Sequence, residues 1–139
     1  MIILDSNVVS ELMRPRPEKK VIAWLDCLPR SSIWTTSVTV FEVRFGLHSM
    51  PGGRRRDLYT EGFENLLDRI ERRIAPFDYE AAVHASALMA SRKIQGRLLE
   101  SRDTMIAGIV LACRATLATR NIRDFYDISA IIDPWTASA

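Results

Sequence analysis

Short apolar segments alternate with longer amphipathic segments along this chain, and that alternation constrains the fold more than any other feature. The short segments are rich in isoleucine, leucine and threonine, whereas the longer ones repeat apolar residues every three or four positions. Strands that alternate with helices in this way form a parallel sheet covered by helices on both faces. We therefore predict a three-layer α/β/α sandwich with a central parallel sheet of about five strands, at residues 2–4, 33–36, 74–77, 116–119 and 130–133.

Capping and helix-breaking residues set the expected bounds of the elements. Asp5-Ser6-Asn7 directly follows the first strand and supplies good N-cap residues. Ser37 or Thr39 is expected to cap the third helix, and Pro76 places the third strand at an edge of the sheet or at a strand end. The helices are predicted at about residues 6–12, 17–28, 40–47, 54–73, 79–93 and 101–114.

The composition is typical of one folded domain. A chain of 139 residues with 47% hydrophobic residues can bury one core, so we expect a single domain over residues 1–139. Charged residues interrupt every apolar run before the roughly 18 residues that a membrane helix needs, and we expect no membrane association. Because Cys27 and Cys113 lack metal-ligand spacing, we interpret them as small buried thiols of a protein in the reducing cytoplasm.

The net charge of +2 does not by itself indicate a nucleic-acid-binding protein. Of the 19 basic residues, three are lysine and 16 are arginine. The planar guanidinium group is suited to bidentate phosphate contacts, although a GC-rich genome produces the same bias. The composition therefore leaves nucleic-acid binding open, and the placement of the charges has to decide it.

Four carboxylates are predicted to converge at one edge of the sheet. Asp5 follows the first strand, and Glu42 lies in an apolar stretch of the helix after the second strand. Asp103 lies in the opening turn of the helix before the fourth strand, and Asp124 follows that strand. Ligand sites of parallel α/β sheets lie outside the carboxyl ends of the strands. Clustered carboxylates there suit Mg²⁺ or Mn²⁺, which can activate water and stabilise the leaving oxygen of a phosphodiester.

Each acid also has an ordinary structural interpretation. Asp5 can be only a helix cap, and Asp103 only a first-turn acid that favours the helix dipole. Glu42 can form an ion pair with Arg44 or another arginine, because a carboxylate among apolar neighbours needs a partner. Asp124 can be an exposed loop residue. The joint placement of the four acids therefore carries the prediction of a metal site.

Several segments together resemble PIN-domain ribonuclease toxins of the VapC and FitB type, which belong to type II toxin–antitoxin pairs. The first is residues 3–11, which contain Asp5-Ser6-Asn7, and the second is residues 37–46, in which a glycine follows Glu42 by four positions. The third is residues 103–107, and the fourth is residues 118–121 leading to Asp124-Phe125. Pro134-Trp135 is similar to the ending of the FitB branch. The segments occur in the order of the family and span nearly the whole chain.

The resemblance implies a PIN fold, Mg²⁺- or Mn²⁺-dependent RNA cleavage, and inhibition by a cognate antitoxin. It also implies a homodimer, with operator DNA bound only through the antitoxin complex. In the family pattern Asp5, Glu42 and Asp103 are the acidic metal ligands. Other positions carry supporting or substrate-binding roles in this comparison, namely Ser6, Thr119, Asn121 and Arg120.

This chain departs from the family pattern at three places. Asn121 stands where many members carry an acid, so Asp124 is a second candidate to complete the site. Arg102 makes the segment before Asp103 more charged than usual, and it could contact phosphate or neutralise its acidic neighbours. Gly108 stands where alanine is common.

Three functional hypotheses follow. The leading one is a metal-dependent endoribonuclease toxin with Asp5, Glu42, Asp103 and Asp124 as its catalytic residues. The second, motivated by Asn121, is a catalytically weak or inactive PIN-like subunit of a DNA-binding toxin–antitoxin complex. The third is a receiver-like or phosphatase-like domain with a phosphorylated aspartate, and it is disfavoured because Asp5-Ser6-Asn7 lacks the second acid of an Asp-x-Asp motif.

Overall fold

A computed structural model describes residues 1–98 and 100–137 of the chain. Five strands and six α-helices alternate within these ranges, as the pattern of short and long segments predicts. The strands are β1 (Ile2–Leu4), β2 (Ile33–Thr36), β3 (Ile74–Ala75), β4 (Thr116–Ala118) and β5 (Ile131–Ile132). The helices are α1 (Ser6–Leu12), α2 (Lys19–Asp26), α3 (Ser37–Ser49), α4 (Arg54–Arg69), α5 (Tyr79–Ile94) and α6 (Ser101–Cys113).

The five strands form one parallel sheet in the order β3-β2-β1-β4-β5. In the centre, Ile2 of β1 pairs with Ile33 of β2 on one side and with Thr116 of β4 on the other. The chain therefore builds the sheet outwards from β1 in both directions, and the strand order reverses beside β1. β3 lies at the edge and ends before Pro76, which confirms the position predicted from that proline.

The sheet has a core on each face. Successive side chains of a strand point to opposite faces, and in β1 the fully buried Leu4 and Ile3 accordingly belong to two separate apolar clusters. The Leu4 cluster includes Phe63 of α4, and the Ile3 cluster includes Ile106 of α6. Helices therefore cover both faces, and the predicted α/β/α sandwich is confirmed.

Several predicted helix boundaries are wrong. The N-cap of α3 is Thr36, whose hydroxyl accepts a hydrogen bond from the Thr39 amide at 3.0 Å, so neither Ser37 nor Thr39 is the cap. α2 begins at Lys19, two residues later than predicted, and α4 ends at Arg69. The extension of α4 towards residue 73 fails because residues 71 and 72 adopt the left-handed conformation, at φ of 53° and 52°.

Cys27 and Cys113 are exposed, contrary to the expectation of buried thiols. Cys27 is the C-terminal cap of α2, and Cys113 is the last residue of α6. Both therefore lie where a helix leaves the core, and a small apolar side chain there is not enclosed.

Helices α5 and α6 approach each other closely at Gly108. A Cβ atom at this position would lie 2.5 Å from the carbonyl oxygen of Ala81 and 2.6 Å from the Cβ of Ala85. The small side chains on both helices let the two backbones meet. This contact fixes how α6, which carries Asp103, lies against α5.

Candidate active site

Asp5 lies at the carboxyl end of the central strand β1, and its side chain is almost fully buried. Oδ1 accepts a hydrogen bond from the Ser6 amide at 2.8 Å, and Oδ2 accepts one from the Thr119 hydroxyl at 2.8 Å. Burial raises the pKa of Asp5, and the hydrogen bonds from Thr119 and Ser6 oppose that shift. Asp5 therefore caps α1, as its structural interpretation requires, and also forms part of a polar cluster with residues distant in sequence.

Thr119 is the centre of that polar cluster. Its buried hydroxyl donates to Asp5 and accepts hydrogen bonds from the Asn7 amide group at 3.1 Å and from the Asn121 backbone amide at 3.0 Å. Asn7 in turn accepts from the Arg120 backbone amide at 3.2 Å. These contacts join the start of α1 to the segment after β4 and hold the Asp5 carboxylate in one orientation.

Glu42 lies on α3, and its carboxylate faces Arg102. Its Oε1 atom is buried and has no hydrogen-bond partner among residues 1–98 and 100–137. Its Oε2 atom is 3.9 Å from Nε of Arg102. Burial raises the pKa of Glu42, Arg102 partly offsets the shift, and Asp5 raises the pKa further. The interpretation of Glu42 as an ion-pair partner of Arg44 or another arginine holds for Arg102 and not for Arg44, which pairs with Glu64.

Asp103 lies in the first turn of α6, as predicted. Its pKa is raised from 3.8 to about 6, mostly by burial and in part by four other carboxylates, namely Asp5, Glu100, Glu42 and Asp124. Like charges disfavour ionisation only when they are close. The charges of Asp5, Glu42 and Asp124 therefore reach Asp103, as expected if these acids face the same side of the sheet.

Asp124 lies in the 3₁₀ turn Ile122–Phe125 that follows β4. Its Oδ2 atom accepts a hydrogen bond of 2.7 Å from the side-chain amide of Asn121. The amide that stands in place of the family's usual acid thus holds the neighbouring carboxylate. This hydrogen bond fixes the position of the Asp124 carboxylate relative to Asn121.

The arginines near the site differ in what they contact. Arg102 pairs with Glu100 at 2.6 Å while also facing Glu42, so it neutralises acidic neighbours in the way one interpretation of the sequence predicts. The guanidinium group of Arg120 lies 4.7 Å from the ring centroid of Trp135. Arg120 and Trp135 line a cavity of about 420 Å³ that reaches Ser6 beside the buried Asp5.

The donor set fits a small divalent cation. Within the part of the chain that the structure describes, no three acidic, histidine or cysteine side chains are arranged so that they could by themselves hold a metal ion. Mg²⁺ does not require three protein ligands, since it keeps several waters and uses one or two carboxylates together with substrate oxygens. The buried Oε1 atom of Glu42 has no hydrogen-bond partner among the described residues, and a bound cation would give this carboxylate one.

Two contributors were missed by the sequence reasoning. Asn7 was treated only as a capping residue, although its place beside Asp5 was a signal that its side chain could reach the same site. No role is assigned to Arg92 from the sequence, and it is 1% exposed and bonded to Thr104 and to the Asp124 carbonyl. No local pattern distinguishes such an arginine from a solvated one.

Comparison with known proteins places the chain in a family. Residues 2–131 match the PIN domain. The chain is 36% identical over 137 residues to VapC ribonuclease Y4jK of Sinorhizobium fredii, covering 97% of this chain and 98% of that protein. It is 33% identical over 137 residues to Toxin FitB of Neisseria gonorrhoeae, covering 97% of this chain and 99% of FitB.

A solved structure shows the same likeness in three dimensions. The chain superposes on one chain of FitAB bound to an IR36 DNA fragment with a TM-score of 0.87 and 31% sequence identity. The match covers 100% of this chain and 99% of that one. The chain therefore belongs to the PIN-domain family, in the group that includes the VapC and FitB toxins.

Proposed function

We propose that this protein is a Mg²⁺- or Mn²⁺-dependent endoribonuclease toxin. The observation that carries the proposal is the group of carboxylates at Asp103, whose pKa is raised to about 6 by burial first and then by the charges of Asp5, Glu100, Glu42 and Asp124. Such a cluster costs stability in the absence of a cation, because like charges repel in a partly buried site. The ribonuclease name of the S. fredii relative favours RNA as the substrate.

The side chains of this protein would bind the cation and orient its ligands. Asp5, Glu42 and Asp103 would hold the cation, and Asp124 with Asn121 would complete the site. A divalent cation bound there supplies activation of water and stabilisation of charge on a phosphodiester. Thr119 keeps the Asp5 carboxylate pointing into the site, as its 2.8 Å hydrogen bond indicates.

Arginine side chains near the site would bind the RNA backbone. Arg120 is an exposed residue that borders the cavity beside Ser6. Guanidinium groups bind phosphates in bidentate fashion. We expect Arg120 to contact a phosphate next to the one that is cleaved.

A cognate antitoxin is the proposed regulator, in a complex that binds operator DNA through the antitoxin. The likeness to FitAB bound to DNA supports this assembly. Phe41 and Phe45 lie one turn apart on α3 with 62% and 61% of their surface exposed, which provides an apolar surface for a partner or for the second subunit of a homodimer. None of the helices that the structure describes is long and apolar enough to cross a membrane, and we propose a cytoplasmic location.

The test is RNA cleavage by purified protein freed of antitoxin, with Mg²⁺ or Mn²⁺ added. Wild type should cleave, whereas Asp5→Asn and Asp103→Asn should lose cleavage at least 100-fold, on the order expected when a charged group that acts at the reacting centre is removed. Asp57→Asn is the matched control, since Asp57 is an exposed acid in the first turn of α4. Equal cleavage by wild type and both site variants would refute the proposal, because a contaminating nuclease would then explain the activity.

The alternative is an inactive PIN-like subunit that serves only in the DNA-binding complex. Asn121 favours it, because an amide replaces the acid that many relatives carry. In that case the protein would neither bind Mn²⁺ nor cleave RNA, and it would still bind its antitoxin and, with it, operator DNA. Calorimetric titration with Mn²⁺ distinguishes the two functions.

A further inference from the structure

Arg92 is the largest fully buried polar side chain of the described residues and lies near the C-terminal end of α5. Its Nε and Nη2 atoms donate to the two carboxylate oxygens of Asp127 at 2.8 and 2.7 Å. Nη1 donates to the Thr104 hydroxyl at 3.0 Å, and Nη2 also donates to the Asp124 carbonyl at 3.3 Å. Four of the five N–H groups of the guanidinium therefore have partners.

These partners belong to two different sides of the acidic cluster. Thr104 follows Asp103 in the first turn of α6, and its hydroxyl also reaches the Glu100 carbonyl at 3.4 Å. Asp124 and Asp127 belong to the segment that follows β4. One guanidinium group thus bridges the start of α6 and the 3₁₀ turn, the two elements that carry Asp103 and Asp124.

The bridge fixes the two elements that carry two of the site acids. Asp103 lies in the first turn of α6 and Asp124 in the 3₁₀ turn, and Arg92 bonds to a residue of each element. Two carboxylates on separate elements would move apart unless the backbone that carries them is fixed. Arg92 fixes both backbones from the protein interior, where its planar group has a single orientation.

We propose that Arg92 is a positioning residue, which sets the spacing of Asp103 and Asp124 by tying the first turn of α6 to the 3₁₀ turn after β4. This inference rests on the proposed function, because the spacing matters for a cation held between these acids. Arg92 does not touch the cation or the RNA. It acts through Thr104 and the Asp124 carbonyl.

The main variant is Arg92→Met combined with Asp127→Leu. Removing one partner of a buried ion pair leaves an uncompensated charge, whereas replacing both by apolar residues can preserve stability. We expect the double variant to melt close to wild type and to bind Mn²⁺ about 10- to 100-fold more weakly, as is usual when a group supporting metal ligands is lost. Its kcat for RNA cleavage should fall by a similar factor with little change in KM.

Thr104→Val gives a second test with a conservative partner. Valine keeps the shape of threonine but removes the oxygen that accepts from Nη1, whereas Thr104→Ser keeps that oxygen. Weaker Mn²⁺ binding in the valine variant and its recovery in the serine variant would support the positioning role. This pair also keeps the inference testable if the double variant does not fold.

Hydrogen exchange provides a readout that needs neither metal nor activity. Amides of residues 101–106 and 121–127 should exchange faster in the double variant than in wild type, because the tie between them is lost. Arg69→Met is the matched control for removing an arginine. Arg69 pairs with Asp26 between α4 and α2, neither of which carries a proposed site residue, and both segments should remain as in wild type.

The outcomes separate this inference from the proposed function. A folded double variant with wild-type Mn²⁺ affinity, kcat and exchange would overturn the inference and leave the proposed function intact. If wild type itself neither binds Mn²⁺ nor cleaves RNA, the proposed function fails. The positioning role of Arg92 is then tested by amide hydrogen exchange alone. Faster exchange of residues 101–106 and 121–127 in the double variant supports it, and unchanged exchange overturns it.

Discussion

Replacing Gly108 by alanine tests how closely α5 and α6 must pack. Alanine is favoured over glycine inside a helix by about 1 kcal/mol, so at most helix positions this change stabilises a protein. At Gly108, the added Cβ would lie 2.5 Å from the carbonyl oxygen of Ala81 and 2.9 Å from the Ala85 amide nitrogen. These are backbone atoms, which cannot turn aside as a flexible side chain does.

The magnitude follows from the overlap. An ordinary contact of a carbon atom is about 3.5 Å or longer, so the helices would have to separate by roughly 1 Å. Overpacking of a core costs about 1–3 kcal/mol, and the rigid backbone partners place Gly108→Ala near the upper end. After subtracting about 1 kcal/mol of helix propensity, a net loss of about 2 kcal/mol remains.

This loss converts to a measurable shift in melting temperature. Unfolding entropy is about 2.1 cal/mol/K per residue, which for 139 residues gives about 0.29 kcal/mol/K. Gly108→Ala should therefore lower Tm by about 7 °C. Differential scanning calorimetry on the metal-free protein measures the shift, and a chemical-denaturation curve checks that the transition stays two-state.

Gly46→Ala is the matched control. Gly46 also lies inside a helix, α3, and a Cβ there would meet nothing within 4 Å. Helix propensity alone should raise Tm by up to about 3 °C. If Gly108→Ala melts at or above wild type, or if both variants are destabilised equally, the argument from close packing of α5 against α6 is refuted.

Three further predictions concern the site and the packing beneath it. Asp103→Asn should raise the Tm of the metal-free protein at pH 8, because it removes a carboxylate whose ionised form destabilises the fold. The pKa of Asp103 is raised to about 6 in the folded protein, so the folded state binds a proton more readily than the unfolded state. Wild type therefore gains stability as the pH falls from about 6 to 4. Thermal melts across this range should show the advantage of the variant shrinking towards pH 4, and a constant difference would contradict the assignment. Thr119→Val should weaken Mn²⁺ binding about 10- to 100-fold by removing the hydrogen bond to Asp5, and Thr119→Ser should bind like wild type in the same titration. Gly62→Ala should lower Tm by at least as much as Gly108→Ala, since its Cβ would lie 2.1 Å from the Met13 carbonyl oxygen, and a denaturation curve unchanged from wild type would rule out that contact.

The sequence predicts the positions that depend on local pattern. Ile2–Leu4 is a short apolar run followed by capping residues. It forms the central strand, and Asp5 lies directly after the carboxyl end of that strand. The order of the strands was not predicted, because periodicity describes each strand alone and does not say which strand it pairs with. The cap of α3 was misplaced by one residue for a related reason, since Thr36, Ser37 and Thr39 are chemically similar and only backbone geometry selects among them.

Contacts across long sequence distances account for most of what was missed. Arg92 binds Asp127, which is 35 positions away, and the environment of an arginine on a helix cannot be inferred from its neighbours in sequence. The exposure of Phe41 was equally hidden, because an apolar residue on an amphipathic helix is expected to pack inwards. The positions of Asp5 and Asp124 after the neighbouring strands β1 and β4 could be predicted, because the carboxyl ends of parallel strands lie on the same side of a sheet.

The central position of β1 has a consequence for the order in which the protein is made. The first strand to leave the ribosome pairs with β2 soon afterwards, but its other edge stays open until Thr116–Ala118 has been synthesised. The hydrogen bond from Thr119 to Asp5 closes a separation of 114 positions, so a nascent chain that stops short of β4 has no complete acidic site. The proposed acidic site can therefore be complete only after residues 116–124 have emerged, close to the end of synthesis.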